Sequence, residues 1–400
     1  MAFRLECAAR CADFDCLEVR PEWFDPIRLI LRSHRVDMVV VDSTDRYPKS
    51  EISRGVAMHS RSFFEQHTYS GFEPSQVFDI VYGGHFEHRL LSAKRAKFEH
   101  QRLILGDLRI ETGSYNFPVI AQGAMPKDSV CIGFVAEGAE TTRYNTASIL
   151  DDEIQVYAPG VELMYHAAGT SRWINFTSSQ ATLQATAQER LGRPLDLPER
   201  GVVSLRLRRG TRDYLRQLDD DAFALARSLQ PAGVAAELTQ AMSRALVGAY
   251  VDALGTAEVA NRSVQAATAR RHHHLILACE RLVLTTGMID IDLSEVARRS
   301  GYSLRSLELI FRRGVGMTPG RWFTNIRLNG ALRQLTAPTA GCSVTDVATR
   351  WGFRHLSRFA EQYRRAFGEL PSETLSRAYG RRDERDRFHR RPPRVAPRTS

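Results

Sequence analysis

Two stretches, DLSEVARRSGYSLRSLELIFRRGVGMTP at 292–319 and SVTDVATRWGFRHLSRFAEQYRRAFGELP at 343–371, are versions of one pattern. Val296, Ala297, Arg299 and Gly301 recur 51 residues later as Val347, Ala348, Arg350 and Gly352. Phe311, Arg312, Arg313, Gly316 and Pro319 recur 52 residues later as Tyr363, Arg364, Arg365, Gly368 and Pro371, so the second copy has one extra turn residue. A repeat of this kind marks one structural unit used twice. Asp292 with Glu295, and Ser343 with Asp346, have capping-box spacing and start a short helix in each copy. Gly301 and Gly352 fall where the chain must turn sharply, with Tyr302 and Phe353 tucked behind the bend.

The next helix of each copy is amphipathic. Leu304, Leu307, Ile310 and Phe311 are predicted to face inward, and Arg305, Glu308, Leu309 and Arg312 outward. In the second copy Leu356, Phe359 and Tyr363 face inward, leaving Ser357, Arg358, Glu361, Arg364 and Arg365 outside. The result is two helix-turn-helix units, at about 292–313 and 343–366. Between them RWFTNIRLNGALRQL sets Trp322, Phe323, Ile326, Ala331 and Leu335 along one side of a bridging helix.

The charge balance suits a polyanionic partner. The chain of 400 residues carries a net +9, but residues 266–400 hold 25 Arg and no Lys against 12 acidic groups, while residues 1–265 are net −4. Guanidinium groups pair with phosphates and release counterions from a duplex. Double-stranded DNA is therefore the expected partner. Arg305, Ser306, Glu308 and Leu309 of the first unit, with Ser357, Arg358 and Glu361 of the second, are the candidates for base reading. Ser303, Arg312, Arg313, Arg321, Arg327, Arg364 and Arg365 are the candidates for phosphate contact. Two such helices about 34 Å apart would enter successive major grooves.

Upstream, the expected fold class is α+β. Residues 1–75 show no clear periodicity and receive no role. From 76 to 180, short runs such as NFPVIAQG, VCIGFVAEG and RWINFTS lie between Gly, Pro, Asn and Asp, the pattern of a small antiparallel sandwich or barrel. Tyr115, Phe117, Phe134, Tyr144, Tyr157 and Trp173 are either its core or the lining of a pocket. Strands are expected to stop after Ser178. Residues 181–265 form a helical extension in which Val234, Leu238, Met242, Ala245, Leu246 and Ala249 make one stripe. That stripe fits a hairpin or a second subunit, and the dimer is the preferred reading; residues 255–270 fit a linker or a helix start. Residues 379–400 are a charged, Pro-rich tail expected to stay disordered.

The six cysteines are too scattered for a disulfide framework, and Cys7, Cys11 and Cys16 lack paired zinc-ligand spacing. His85 and His88 lie close together but fit a surface or core role better than a metal. No cofactor or metal is expected. There is no membrane-length apolar run and no signal-peptide pattern at the start, so the expected setting is the cytoplasm.

The carboxy-terminal pattern, within a domain expected over residues 266–378, resembles the AraC/XylS family of bacterial transcription regulators over about residues 270–378. The likeness rests on A-x-x-S-G-Y-S at 297–303, F-R-R-x-x-G-M-T-P at 311–319, G-F at 352–353 and R-x-A-F-G-x-x-P ending at Pro371. I-R-L-N at 326–329, W-G-F-x-H-L at 351–356 and P-S-x-T-L at 371–375 look like the subgroup containing the ethanolamine-operon regulator. The resemblance implies a cupin-like sensory domain upstream, a small-molecule effector, contact with RNA polymerase and a homodimer. Many relatives place Asp or Asn after the second G-F, where Arg354 and His355 stand here. An enzyme fused to such a DNA-binding module is the alternative. It would need a zinc-held reactive cysteine or another catalytic motif, and the sequence displays neither.

Overall fold

The computed structural model describes residues 62–92, 96–260, 263–285 and 292–389. Cys7, Cys11 and Cys16 lie outside the described residues, as does most of the segment given no role. The amino-terminal half is built from β1 (Ser62–Ser70), β2 (His85–Leu90), β3 (Lys97–Leu105), β4 (Leu108–Tyr115), β5 (Val119–Ala124), β6 (Val130–Glu137), β7 (Thr142–Tyr144), β8 (Ala147–Ser148), β9 (Glu153–Tyr157), β10 (Glu162–Ala167), β11 (Ser171–Ser178), β12 (Val202–Arg206) and β13 (Glu258–Val259). They form two antiparallel sheets, one ordered β1-β3-β4-β11-β6-β9-β12-β13 and the other β2-β5-β10-β7-β8. The sheet therefore begins by Ser62, earlier than the sequence suggested. Strands also continue past Ser178, because β12 adds to β9 and β13 to β12.

Side chains alternate across each strand, which divides the packing into three layers. Phe98, Tyr115, Tyr157 and Trp173 of the larger sheet meet Phe86, Leu90, Leu163 and Tyr165 of the smaller one in the inner core. The outer face of the larger sheet presents Leu103, Ile110, Ile132, Phe134, Ile174 and Phe176. It is covered by α1 (Gln180–Leu191), α2 (Thr211–Ser228) and α3 (Ala236–Gly255). Met242 and Leu246 of the α3 stripe are fully buried there, and Tyr250 stacks on Phe176 at 4.0 Å. The stripe expected to meet a second subunit thus closes over a sheet of its own chain. A strand pattern apolar on both faces needs such a cover.

The carboxy-terminal half comprises α4 (Ser263–Thr285), α5 (Leu293–Arg299), α6 (Leu304–Val315), α7 (Pro319–Thr336), α8 (Val344–Arg350), α9 (Leu356–Phe367) and α10 (Pro371–His389). Residues 255–270, read as a linker or a helix start, contain β13 and the first turns of α4. Helix α10 carries the backbone to His389, through the first eleven residues of the stretch expected to be a disordered tail. No helix among the described residues is long and apolar enough to cross a membrane.

Candidate nucleic-acid interface

The duplication is legible atom by atom. Helices α5 and α8 are both seven residues long, and α6 and α9 both twelve. Asp292 caps α5 by accepting the Ser294 and Glu295 amides, and Ser343 caps α8 by accepting that of Asp346. The Glu295 carboxylate accepts hydrogen bonds from Arg298 and Arg299. Gly301 and Gly352 sit at φ +73° and +72°. This is the left-handed region, where a side chain would add roughly 1–2 kcal/mol of strain. The next amide then returns to the same place in each copy: Tyr302 N–H to Ala297 O and Phe353 N–H to Ala348 O, both 2.9 Å.

Leu307, Ile310 and Phe311 of α6, and Phe359, Tyr363 and Phe367 of α9, are buried as the periodicity requires. Leu304 and Leu356 are not; they are 42% and 45% exposed. Each is the first residue of its helix, so its side chain leans back past the end of the three-helix core. Among the base-reading candidates, Arg305, Leu309, Ser357, Arg358 and Glu361 are exposed, and Ser306 and Glu308 half-buried. Ser303 is engaged as the cap of α6, accepting the Ser306 amide at 3.1 Å. His355, at the start of α9, makes no side-chain cap, which matches the missing Asp or Asn. Arg312, Arg313, Arg321, Arg364 and Arg365 are exposed, and Arg327 is half-buried. Arg365 is ion-paired with Glu361 one turn back.

The electrostatics of the helix starts separate the two helices of each unit. Helices α5 and α8 carry Glu295 and Asp346 in their first turns, where carboxylates favour the positive end of the helix dipole. Helices α6 and α9 have no acid there and hold Arg305 and Arg358 within their first three residues instead. In isolation that placement opposes the dipole. Beside a polyanion it gives a positive helix end with free guanidinium groups.

The units are seated on the outer face of the smaller sheet. Ile120 and Met164 of that face join the core formed by α4, α6 and the start of α7, through Ile276, Phe311 and Trp322. The contact is also polar. Arg89 pairs with Glu280 and with Glu87, and Glu87 Oε1 lies 3.0 Å from Arg333. Burial alone would push the Glu87 carboxyl up, but the Arg89 and Arg333 guanidiniums outweigh it and hold it below its ordinary value. Asn329, fully buried on α7, accepts the Leu90 amide at 2.8 Å and donates to the Leu90 carbonyl at 3.0 Å. Its side-chain amide stands in for a neighbouring strand at the edge of the sheet. Sequence reasoning gave Arg89, Glu280 and Asn329 no role; the one signal was an asparagine on the apolar side of the bridging helix. The carboxy-terminal ends of α6 and α9 also meet the sandwich. A Cβ on Gly316 would lie 3.5 Å from His166, and Phe367 meets Phe72 edge-on at 5.9 Å. Burial and the Arg143 charge lower the His166 pKa to about 4.

Inside the sandwich, Phe86, Leu163, Tyr165, Tyr144, Trp173 and Asn175 line a cavity of about 20 Å³, room for roughly one water. Tyr115, Phe117 and Tyr157 belong to the surrounding core, whereas Phe134 points to the opposite face, under the helices. His88 is a core histidine, its nitrogens 2.8 Å from Val77 O and from the Tyr115 hydroxyl. His85 is exposed and stacks on Phe78. Burial pushes the Cys131 thiol up to about 12 and that of Cys279 to about 11, the opposite of an activated nucleophile. No group of three or more metal-binding side chains occurs among the described residues.

Residues 296–377 match the family model of a helix-turn-helix domain. Over 87 residues the chain is 45% identical to the XylDLEGF operon transcriptional activator 2 of Pseudomonas putida, covering 22% of this chain and 55% of that protein. Over 82 residues it is 39% identical to the transcriptional activator NphR of a Rhodococcus species, covering 20% and 24%. A solved "probable AraC family transcriptional regulator" from Rhodopseudomonas palustris CGA009 is 32% identical, covering 26% of this chain and 97% of that one, with a TM-score of 0.25. The chain thus spans from about a quarter to just over half the length of these curated relatives. The carboxy-terminal domain belongs to the AraC/XylS family of regulators.

Proposed function

We propose that the whole chain is a sequence-specific DNA-binding transcription regulator, with α6 and α9 as its recognition helices and the sandwich as its sensory half. The observation that carries this reading is the repeated helix start: in both units the first turn lacks any acid and presents an exposed arginine, the second residue of α6 and the third of α9. Arg305, Ser306, Glu308 and Leu309, with Ser357, Arg358 and Glu361, would face base edges in two major grooves. The exposed arginines at the far ends of the same helices, with Arg321 and Arg327 of α7 and the Ser303 hydroxyl, would hold the flanking phosphates. A small-molecule effector would act on the sandwich and reach the DNA through the face that seats α4 and α7. RNA polymerase and a second copy are the further partners this reading implies.

The test is a gel shift of the full-length protein on the DNA upstream of its own gene, titrated with salt. Six arginine contacts to phosphate give a slope of about −5 in log affinity against log salt. Absence of a complex at low salt rejects the reading.

A further inference from the structure

We propose that Leu304 and Leu356 each recognise a thymine 5-methyl group, so that the operator carries a contacted thymine in each of two half-sites. The inference rests on the DNA-binding reading above and adds residues whose periodicity assigns them to the core. The two leucines are equivalent, 52 residues apart, and each is the first residue of its recognition helix. Both keep more than two-fifths of their surface in solvent, whereas the inward residues of the same helices are nearly or wholly buried.

Nothing in the fold requires leucine there. In α6 the helix start is capped by Ser303, and in α9 it has no side-chain cap, yet the exposed leucine is the same. The exposed Leu309 of α6, by contrast, has Glu361 as its counterpart, so among the exposed positions of the two helices only the first repeats an apolar choice. Geometry favours these two ends. The sandwich holds the carboxy-terminal ends of α6 and α9, and each helix is about 18 Å long, which leaves the leucines at the ends remote from that contact. Recognition helices address the major groove with their amino-terminal residues. The thymine methyl is the apolar feature of that groove, and a leucine between Ser303 and Arg305, or between His355 and Ser357, offers it an apolar surface beside groups able to bond base edges.

The experiment selects duplexes from a randomised pool with the full-length protein, then replaces each thymine of the selected site by uracil, one at a time, at fixed salt. Uracil differs from thymine only by the methyl. In each half-site one replacement weakens binding about fourfold. Leu304→Ala abolishes that sensitivity in one half-site and Leu356→Ala in the other, each leaving its neighbour unchanged. Both variants should melt as the parent does, since neither side chain is buried; if one does not, the uracil scan of the parent decides alone. Uracil tolerated within twofold at every position, or sensitivity that persists in both variants, overturns the proposal. Failure to enrich any sequence overturns the DNA-reading function itself.

Discussion

Replacing Asn329 by alanine should loosen the seat of the DNA-binding domain at one identifiable point. The Asn329 amide holds the Leu90 N–H at 2.8 Å and the Leu90 carbonyl at 3.0 Å, and neither residue has surface in solvent. Alanine leaves the N–H with no acceptor. The carbonyl keeps a weaker partner, since Asn325 Nδ2 lies 3.3 Å away. A buried group left unsatisfied costs roughly 1–3 kcal/mol, and one full loss with one partial loss sums to about 2–3 kcal/mol. Hydrogen exchange is the suitable assay, because a two-domain chain has no single unfolding free energy. The Leu90 amide should lose protection about 30- to 150-fold, while that of Ile174, central in the larger sheet, keeps it. An unchanged Leu90 exchange rate in Asn329→Ala would refute the reasoning. Equal loss at Ile174 would mean that the substitution acts on global unfolding instead.

Asp219 is fully buried between α2 and α3, 2.7 Å from the Tyr250 hydroxyl, and burial raises its pKa to about 8. With the folded value above the unfolded one, its contribution is complete below about pH 4 and is lost as pH rises towards 8, by up to about 1.4 kcal/mol per unit. Asp219→Asn should therefore gain stability relative to the parent between pH 5 and 7.5, by on the order of 3 kcal/mol; parallel urea profiles at the two pH values would contradict this. At Gly330 on α7 a Cβ would stand 2.1 Å from the Trp351 ring. Gly330→Ala should destabilise the second unit by about 3 kcal/mol or more, measured by denaturation. Arg305→Ala and Arg358→Ala should each weaken binding to a selected site by about 1–3 kcal/mol and relax preference at one base pair. A loss uniform across sequences would mark both as phosphate contacts.

What was legible in the sequence was local. Asp292, Ser343, Gly301 and Gly352 act on amides within a few residues of themselves, so spacing alone located both units. Leu304 and Leu356 escaped because a helical period says which side is apolar and not where along the helix the core ends. The α3 stripe was visible as buried, but its partner is a sheet formed by strands far away in the chain. The seat of the DNA-binding domain was least accessible. Glu87 and Arg89 alternate with Phe86, His88 and Leu90 on β2 like any solvent-facing row, and their partners Arg333 and Glu280 lie on helices far downstream. The short strand β12 was hidden among the arginines and glycines that flank it.

The position of β2 at the margin of its sheet gives the Asn329 contact a second consequence. While α7 stays docked, the last amide and carbonyl of that margin are taken. Any signal that lifts the helix away uncovers them together with the apolar platform beside them, a surface able to accept another polypeptide strand. Loss of that docking would therefore leave the sandwich sticky, and the tendency to clump would grow with protein concentration.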